Sequence, residues 1–154
     1  MTPSYQERCA GSLVGLACGD AVGTTVEFSP PGSFRPLTDM VGGGPFGLRA
    51  GQWTDDTSMA LCLAESLLVK GGFDAADQMG RYLNWWRRGY LSSTGRCFDI
   101  GGTTSWQLGR FERTGEPVDP SPDPESAANG SLMRLAPVPI AWHRDLAQAA
   151  DRSG

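Results

Sequence analysis

Apolar residues recur at helical spacing along much of this chain, and loops rich in glycine and proline separate the runs. Residues 55–70 carry the clearest pattern. Met59, Leu63 and Leu67 repeat at four, as do Ala60, Ala64 and Leu68, and Leu61 and Cys62 widen the face until burial nearly all round is expected. Gly71-Gly72 closes that helix. Asp74 then caps a helix over about 75–90, with Met79, Tyr82, Leu83, Trp85 and Trp86 as its apolar side. Arg87 and Arg88 suit its C-terminal dipole. Upstream, residues 5–22 predict a helix of small residues, in which Leu13 and Leu16, and Val14 and Cys18, are helical neighbours. Gly11, Gly15 and Gly19 recur every fourth residue and form a smooth ridge. Each glycine costs up to about 1 kcal/mol against alanine in a helix, so the ridge predicts a second backbone packed closely upon it. Asp20, near the end of this helix, opposes the dipole and calls for a specific partner. Further on, a helical run through Trp106, Leu108 and Phe111 follows Asp99, and Asp145 to Arg152 starts another amphipathic helix.

The segments between are loops. Pro30, Pro31, Pro36 and Pro45 forbid a continuous helix over 23–52. Gly42-Gly43-Gly44 there lacks the Gly-Lys-Ser/Thr continuation and the preceding strand of a nucleotide loop. Gly115 to Glu125 contains Pro117, Pro120, Pro122 and Pro124 and reads as an extended surface loop. Ser126 to Arg134 contains the turn signal Asn129-Gly130 and leads into a short helical stretch, which Pro137 and Pro139 interrupt.

Composition narrows the class. A chain of 154 residues with 40% apolar and 19% charged content is one globular domain. Its net charge of −4 argues against tight binding of nucleic acid, which depends on neutralising phosphates. The four cysteines form no C-x-x-C pair, and Cys9, Cys18 and Cys62 are expected as small core residues. No basic, apolar leader opens the chain and no apolar run approaches ~18 residues, so a cytoplasmic protein without membrane attachment is expected. The sequon Asn129-Gly130-Ser131 is accordingly set aside, and the single histidine, His143, is expected at the surface.

The candidate chemistry centres on Thr54-Asp55-Asp56, between a glycine-rich loop and the 55–70 run. A hydroxyl and two carboxylates at a helix start can be plain capping. They can equally form one wall of a hard-metal site, because Mg2+ and similar ions take oxygen ligands. Adjacent Asp55 and Asp56 repel unless a cation neutralises them, whereas capping needs only one carboxylate. Glu27, flanked by Val26 and Phe28, is either a surface residue or a loop carboxylate beside a site. Asp99 is either an N-cap or part of a polar patch with Gly101, Gly102, Thr103 and Thr104, which offers donors to a polyhydroxylated or anionic ligand. The turn at Asn129-Gly130 presents free N–H groups that favour phosphate.

Four patches stand in order: Gly19-Asp20-Ala21-Val22-Gly23 followed by Glu27-Phe28; Thr54-Asp55-Asp56-Thr57; Asp99-Ile100-Gly101-Gly102-Thr103-Thr104; and Asn129-Gly130-Ser131-Leu132-Met133-Arg134. Together they resemble the ADP-ribosylglycohydrolase family over essentially the whole chain. The resemblance implies an all-α, compact, multi-helix orthogonal bundle. It implies a cleft holding two divalent ions, Mg2+ or Mn2+, with Thr54, Asp55 and Asp56 as metal ligands. Glu27 would close over the ligand, Asp99 would contact the ribose or assist acid–base chemistry, and Glu27, Asp56 and Asp99 would form the catalytic group. Gly101, Asn129, Gly130, Ser131 and Met133 would line the ADP-ribose pocket. The implied activity is metal-dependent removal of ADP-ribose from modified protein side chains or related conjugates. The alternative is a non-catalytic ADP-ribose-binding or crystallin-like module. Family enzymes run to roughly twice this length, and their later Gly-Asp-Thr-Asp-Thr-like segment has no counterpart here. Asp151 lacks that context. Residues 1–154 therefore read as the N-terminal portion of one such domain, whether a truncated gene, a fragment or a piece that meets a complementing C-terminal half, and are expected to be inactive alone.

Overall fold

The structure is a computed structural model, and it describes residues 2–120 and 128–153. Pro122, Pro124, Ser126 and Ala127 of the expected loop and turn lie outside the described residues. The described residues fold into α-helices with no strand: α1 (Tyr5–Gly23), α2 (Asp55–Lys70), α3 (Ala75–Arg88), α4 (Gly102–Thr114), α5 (Pro137–Ala141) and α6 (Leu146–Asp151). A single 3-10 turn, Thr24–Val26, follows α1. The all-α expectation holds.

Helix α2 is the hub, packed against α1, α3 and α5. Its Met59, Cys62, Leu63 and Leu67 meet Tyr82 and Trp85 of α3, Leu108 of α4 and Val138 of α5 in one buried cluster. Full burial of a side chain of this size is worth about 1.5–3 kcal/mol, so this seam carries most of the hydrophobic stabilisation. Burial is not all round, however. Leu68 is 83% exposed and Val69 65%, because the last turn of α2 runs past its neighbours before Gly71 ends it in the left-handed conformation.

Local chemistry sets the helix ends. Ser4 and Glu7 form a reciprocal capping box at α1. Asp74 caps α3 through the Asp77 N–H, as expected. Gly89 ends α3 at φ +69, and a Cβ there would lie 2.1 Å from the Gly95 carbonyl oxygen, so only glycine fits. The turn that follows is tied to the segment before α2. Trp53 donates its indole N–H to Leu91 O (3.3 Å), Ser93 donates its hydroxyl to Trp53 O (2.6 Å), and Gln52 donates to Ser93 O (3.1 Å). These bonds fix where the chain enters α2.

Several expectations are corrected. Nothing lies within 4 Å of a Cβ added at Gly11, Gly15 or Gly19, so no backbone packs on the glycine ridge among the described residues. Helix α1 touches α2 mainly through its C-terminal end, where Ala21 is buried. Cys62 is a core residue, but Cys9 is only half-buried and Cys18 is exposed. Tyr5–Val26, at mean hydropathy 1.3, is long and apolar enough by composition to cross a membrane, which corrects the expectation that no apolar run approaches that length. Glycine, alanine and cysteine raise its hydropathy without bulky side chains. Pro137 and Pro139 do not interrupt a helix. They open α5, where a missing N–H in the first turn costs nothing. Asp99 is not the cap of α4; Gly101 holds that position. His143 is exposed, as expected, and its Nδ1 lies 2.8 Å from the Tyr5 hydroxyl.

Candidate active site

The N-terminus of α2 is built in an unusual way. Thr54 is the N-cap residue by backbone, yet its side chain caps nothing. Asp20 reaches across from α1 instead. Its carboxylate accepts the Thr54 N–H (3.0 and 3.1 Å), the Thr54 hydroxyl (2.7 Å), the Thr57 N–H (3.1 Å) and the Thr57 hydroxyl (2.6 Å). Four donors satisfy both oxygens of one carboxylate. The charge that opposed the dipole of α1 is thereby placed at the positive end of α2, where it is favourable.

With that work done by Asp20, the next two carboxylates are left over. Asp55 and Asp56 face a pocket of about 320 Å³ shared with Glu27, Phe28, Asp99 and Gly101, and bounded further on by Asn129, Gly130 and Met133. Among the described residues that line it there is no lysine, arginine or histidine. Burial raises the Asp55 carboxyl to about 8, with the charges of Asp99 and Asp56 adding to the effect. Burial and then the Asp20 charge raise Asp56. Asp99 is raised to about 6, again by burial first. The backbone N–H groups of Asp55, Phe98 and Asp99 pull Asp99 the other way, but none reaches hydrogen-bonding geometry. Both Asp99 oxygens are buried without a partner. Glu27 is raised by burial, against a weak bond from the Thr24 hydroxyl at 3.3 Å.

An aromatic chain flanks these acids. Phe28 and Phe46 meet edge-on at 6.3 Å between ring centres, and Phe46 and Phe98 at 5.2 Å. Phe28 is held at φ +63, a left-handed backbone that costs a bulky residue about 1–3 kcal/mol, and the residue is 81% exposed at the pocket edge. Glu27 and Phe28 both line the pocket, so this strained loop forms its edge.

The sequence profile of the ADP-ribosylglycohydrolase family matches residues 1–154. The chain belongs to that family. It is 52% identical over 141 residues to the ADP-ribosylarginine hydrolase Tri1 of Pseudomonas putida (strain GB-1), an alignment covering 91% of this chain and 38% of the relative. It is 38% identical to the ADP-ribosyl-[dinitrogen reductase] glycohydrolase of Rhodospirillum rubrum, covering 90% of this chain and 46% of that one. Among solved structures, one titled ADP-ribosylglycohydrolase-related protein complex superposes with a TM-score of 0.78 at 47% identity, covering 97% of this chain and 48% of that chain. The chain thus spans about half the length of these relatives, or less.

For an ADP-ribosylglycohydrolase chain, the placement of the expected residues is clear. Glu27, Asp55, Asp56, Asp99, Gly101, Asn129, Gly130 and Met133 share one pocket. Ser131 does not line it. It borders an adjoining cavity of about 230 Å³, where Arg134 stacks 4.7 Å over the Tyr82 ring. Residues 129–134 form turns rather than a helix, closed by the Met133 N–H on Asn129 O at 3.0 Å. Thr54 is buried behind the pocket, bonded to Asp20, and does not line the cavity. Phe28, Phe46 and Phe98 lie far apart in the sequence, and only the placement of Phe28 beside Glu27 signals their flanking group there.

The donor chemistry suits a hard divalent ion. Asp55, Asp56 and Asp99 offer carboxylate oxygens, and those of Asp99 are committed to no donor in the protein. Among the described residues, no three Asp, Glu, His or Cys side chains converge closely enough to enclose an ion on their own. An ion here would complete its shell with water, ligand oxygens or groups from elsewhere.

Proposed function

We propose that this chain supplies one wall of a metal-dependent site that removes ADP-ribose from ADP-ribosylated protein side chains. The observation that carries the reading is the pocket of Asp55, Asp56, Asp99 and Glu27, acidic, half-buried and lacking any cationic side chain among the described residues that line it. Such a cluster is costly near neutral pH unless protons or cations neutralise it. A divalent ion bound there supplies Lewis acidity and offsets the negative charge of the pocket.

The protein's own residues divide the remaining work. Asp99, raised to about 6 and free of donors, is suited to hold or release a proton beside the ribose near neutral pH. Glu27 follows a short 3-10 turn, next to the strained Phe28, and closes the pocket edge over the sugar. The start of the Asn129–Met133 turn, at Asn129 and Gly130, provides backbone N–H groups for the diphosphate, the Met133 N–H being held by Asn129 O. The likeness to an ADP-ribosylarginine hydrolase favours an arginine conjugate as substrate. This reading places the chain in the cytoplasm.

Glycosidic cleavage also needs ligands beyond those that converge here, so the chain alone binds metal weakly and releases no ADP-ribose. Two measurements test this. In Mg2+, ADP-ribose should raise the melting temperature of the chain, and Asp55→Ala should abolish the increase. Incubation with an ADP-ribosylarginine conjugate should yield no free ADP-ribose. An ADP-ribose shift equal in Asp55→Ala, or its absence from the parent, refutes the pocket assignment. Robust release by the chain alone refutes its incompleteness.

A further inference from the structure

We propose that a second cavity of this chain, bounded by α2, α3 and α5, binds a small carboxylate with an apolar body. The cavity has a volume of about 200 Å³, and none of its lining residues lines the acidic pocket, so its chemistry does not depend on a bound metal. Its walls are apolar: Leu63 and Leu67 of α2, Val138 of α5, and the Phe73 and Trp142 rings. Arg134 and Arg152 line it as well, whereas no aspartate or glutamate does among the described residues. The charge pattern of the acidic pocket is reversed here.

Arg134 is half-buried, and among the described residues no carboxylate pairs with it. Its guanidinium stacks 4.7 Å from the Tyr82 ring centre, and its Nη1 donates at 3.8 Å to the Met59 sulfur, a weak acceptor. A guanidinium carries five N–H donors in a planar fork, so most of these are left without an acceptor among the described residues. A cation taken partly out of water is costly unless an anion joins it. Arg152 stacks 4.8 Å over the Phe73 ring, and its acidic partner, Asp151 at 3.6 Å, does not line the cavity. Gln78 of α3 adds an amide. It is only 9% exposed, and its Nε2 is buried with no hydrogen-bond partner. Buried amides are ordinarily bonded. Two arginines and an orphaned amide on one small cavity call for an oxygen acceptor, and a carboxylate matches the arginine fork bidentately. The hydrocarbon walls favour an apolar body behind that carboxylate over a fully hydrated phosphate ion. At about 200 Å³ the space is smaller than the pockets of drug-sized ligands, which limits the occupant to a short chain or a single ring.

Calorimetric titration of the chain with benzoate, in metal-free buffer at fixed ionic strength, is the test. Benzoate should bind saturably at one site. Benzyl alcohol, the neutral analogue, and inorganic phosphate, an oxyanion without an apolar body, should each bind at least about tenfold more weakly. Arg134→Met keeps an apolar stem over Tyr82 but removes the charge, and should weaken benzoate binding by about tenfold or more, the range for a hydrogen bond between charged groups. Gln78→Met is close to isosteric and should weaken it by about three- to tenfold. Arg152→Gln, at a side chain open to water, should weaken it by at least about threefold with the melting temperature unchanged, and it carries the test if Arg134→Met does not fold. No saturable benzoate binding by the parent chain overturns the inference. So does an affinity for benzyl alcohol or phosphate equal to that for benzoate, or a benzoate affinity that any folded one of the three variants leaves at the parent value.

Discussion

Raising the pH from 5 to 8 should destabilise the chain when divalent ions are removed with a chelator. Asp55 is raised to about 8 and Asp99 to about 6, whereas an aspartate in the unfolded chain titrates near 3.9. Between those values the folded state binds more protons than the unfolded state, so unfolding releases protons and stability falls as pH rises. The contribution is complete below about pH 4 and is lost as pH passes through the folded values. At 1.36 kcal/mol per unit, the roughly three units between pH 5 and the Asp55 value of about 8 set a ceiling of about 4 kcal/mol for that group over this window. The pocket opens to water and its carboxylates share protons, so the expected loss is on the order of 2–3 kcal/mol. For a domain of this size that is about 5–10 °C in melting temperature. Glu7, Asp74, Asp77 and Glu112 have lowered values, so their opposite contribution is already complete by about pH 5 and does not mask the effect. Urea unfolding at pH 5, 6, 7 and 8 measures it. Asp55→Asn should remove most of the slope, and Mg2+ at pH 8 should restore stability by binding the folded state. Stability that stays flat or rises from pH 5 to 8 refutes the electrostatic description of the pocket.

Two further outcomes test the fold. Trp85→Ala, at a side chain only 1% exposed in the seam between α2 and α3, should cost about 3–5 kcal/mol by chemical denaturation, and a cost below ~1 kcal/mol would contradict the packing. Gly15→Ala should stabilise the chain by up to about 1 kcal/mol, because a Cβ there meets nothing within 4 Å. Marked destabilisation of the isolated chain would show that the ridge is covered after all.

The helices were largely legible because they depend on local terms. Met59, Leu63 and Leu67 name the buried face of α2 through a period of 3.6, and Asp74 names the start of α3 through one cap. Local reasoning failed where the decisive partner is distant. The smallness of Gly11, Gly15 and Gly19 permits a close neighbour without supplying one. Asp99 has the sequence context of a cap, but the chain turns at Gly101 and leaves its carboxylate buried and unbonded. Pro137 reads as a breaker until the preceding turn makes it the first residue of a helix.

By itself, the sequence determined where the long helices run and which of them forms the core, because periodicity and capping act over a few neighbours. The all-helical class and the acids expected to carry chemistry came from the resemblance of four ordered patches to one family. Only the tertiary structure decided which carboxylate organises the start of α2 and which remain uncommitted. Asp20 lies 34 residues from Thr54 in sequence, and no local pattern links them. Folding brings α1 against the N-terminus of α2, and the hydrogen bonds made there leave Asp55, Asp56 and Asp99 facing one pocket.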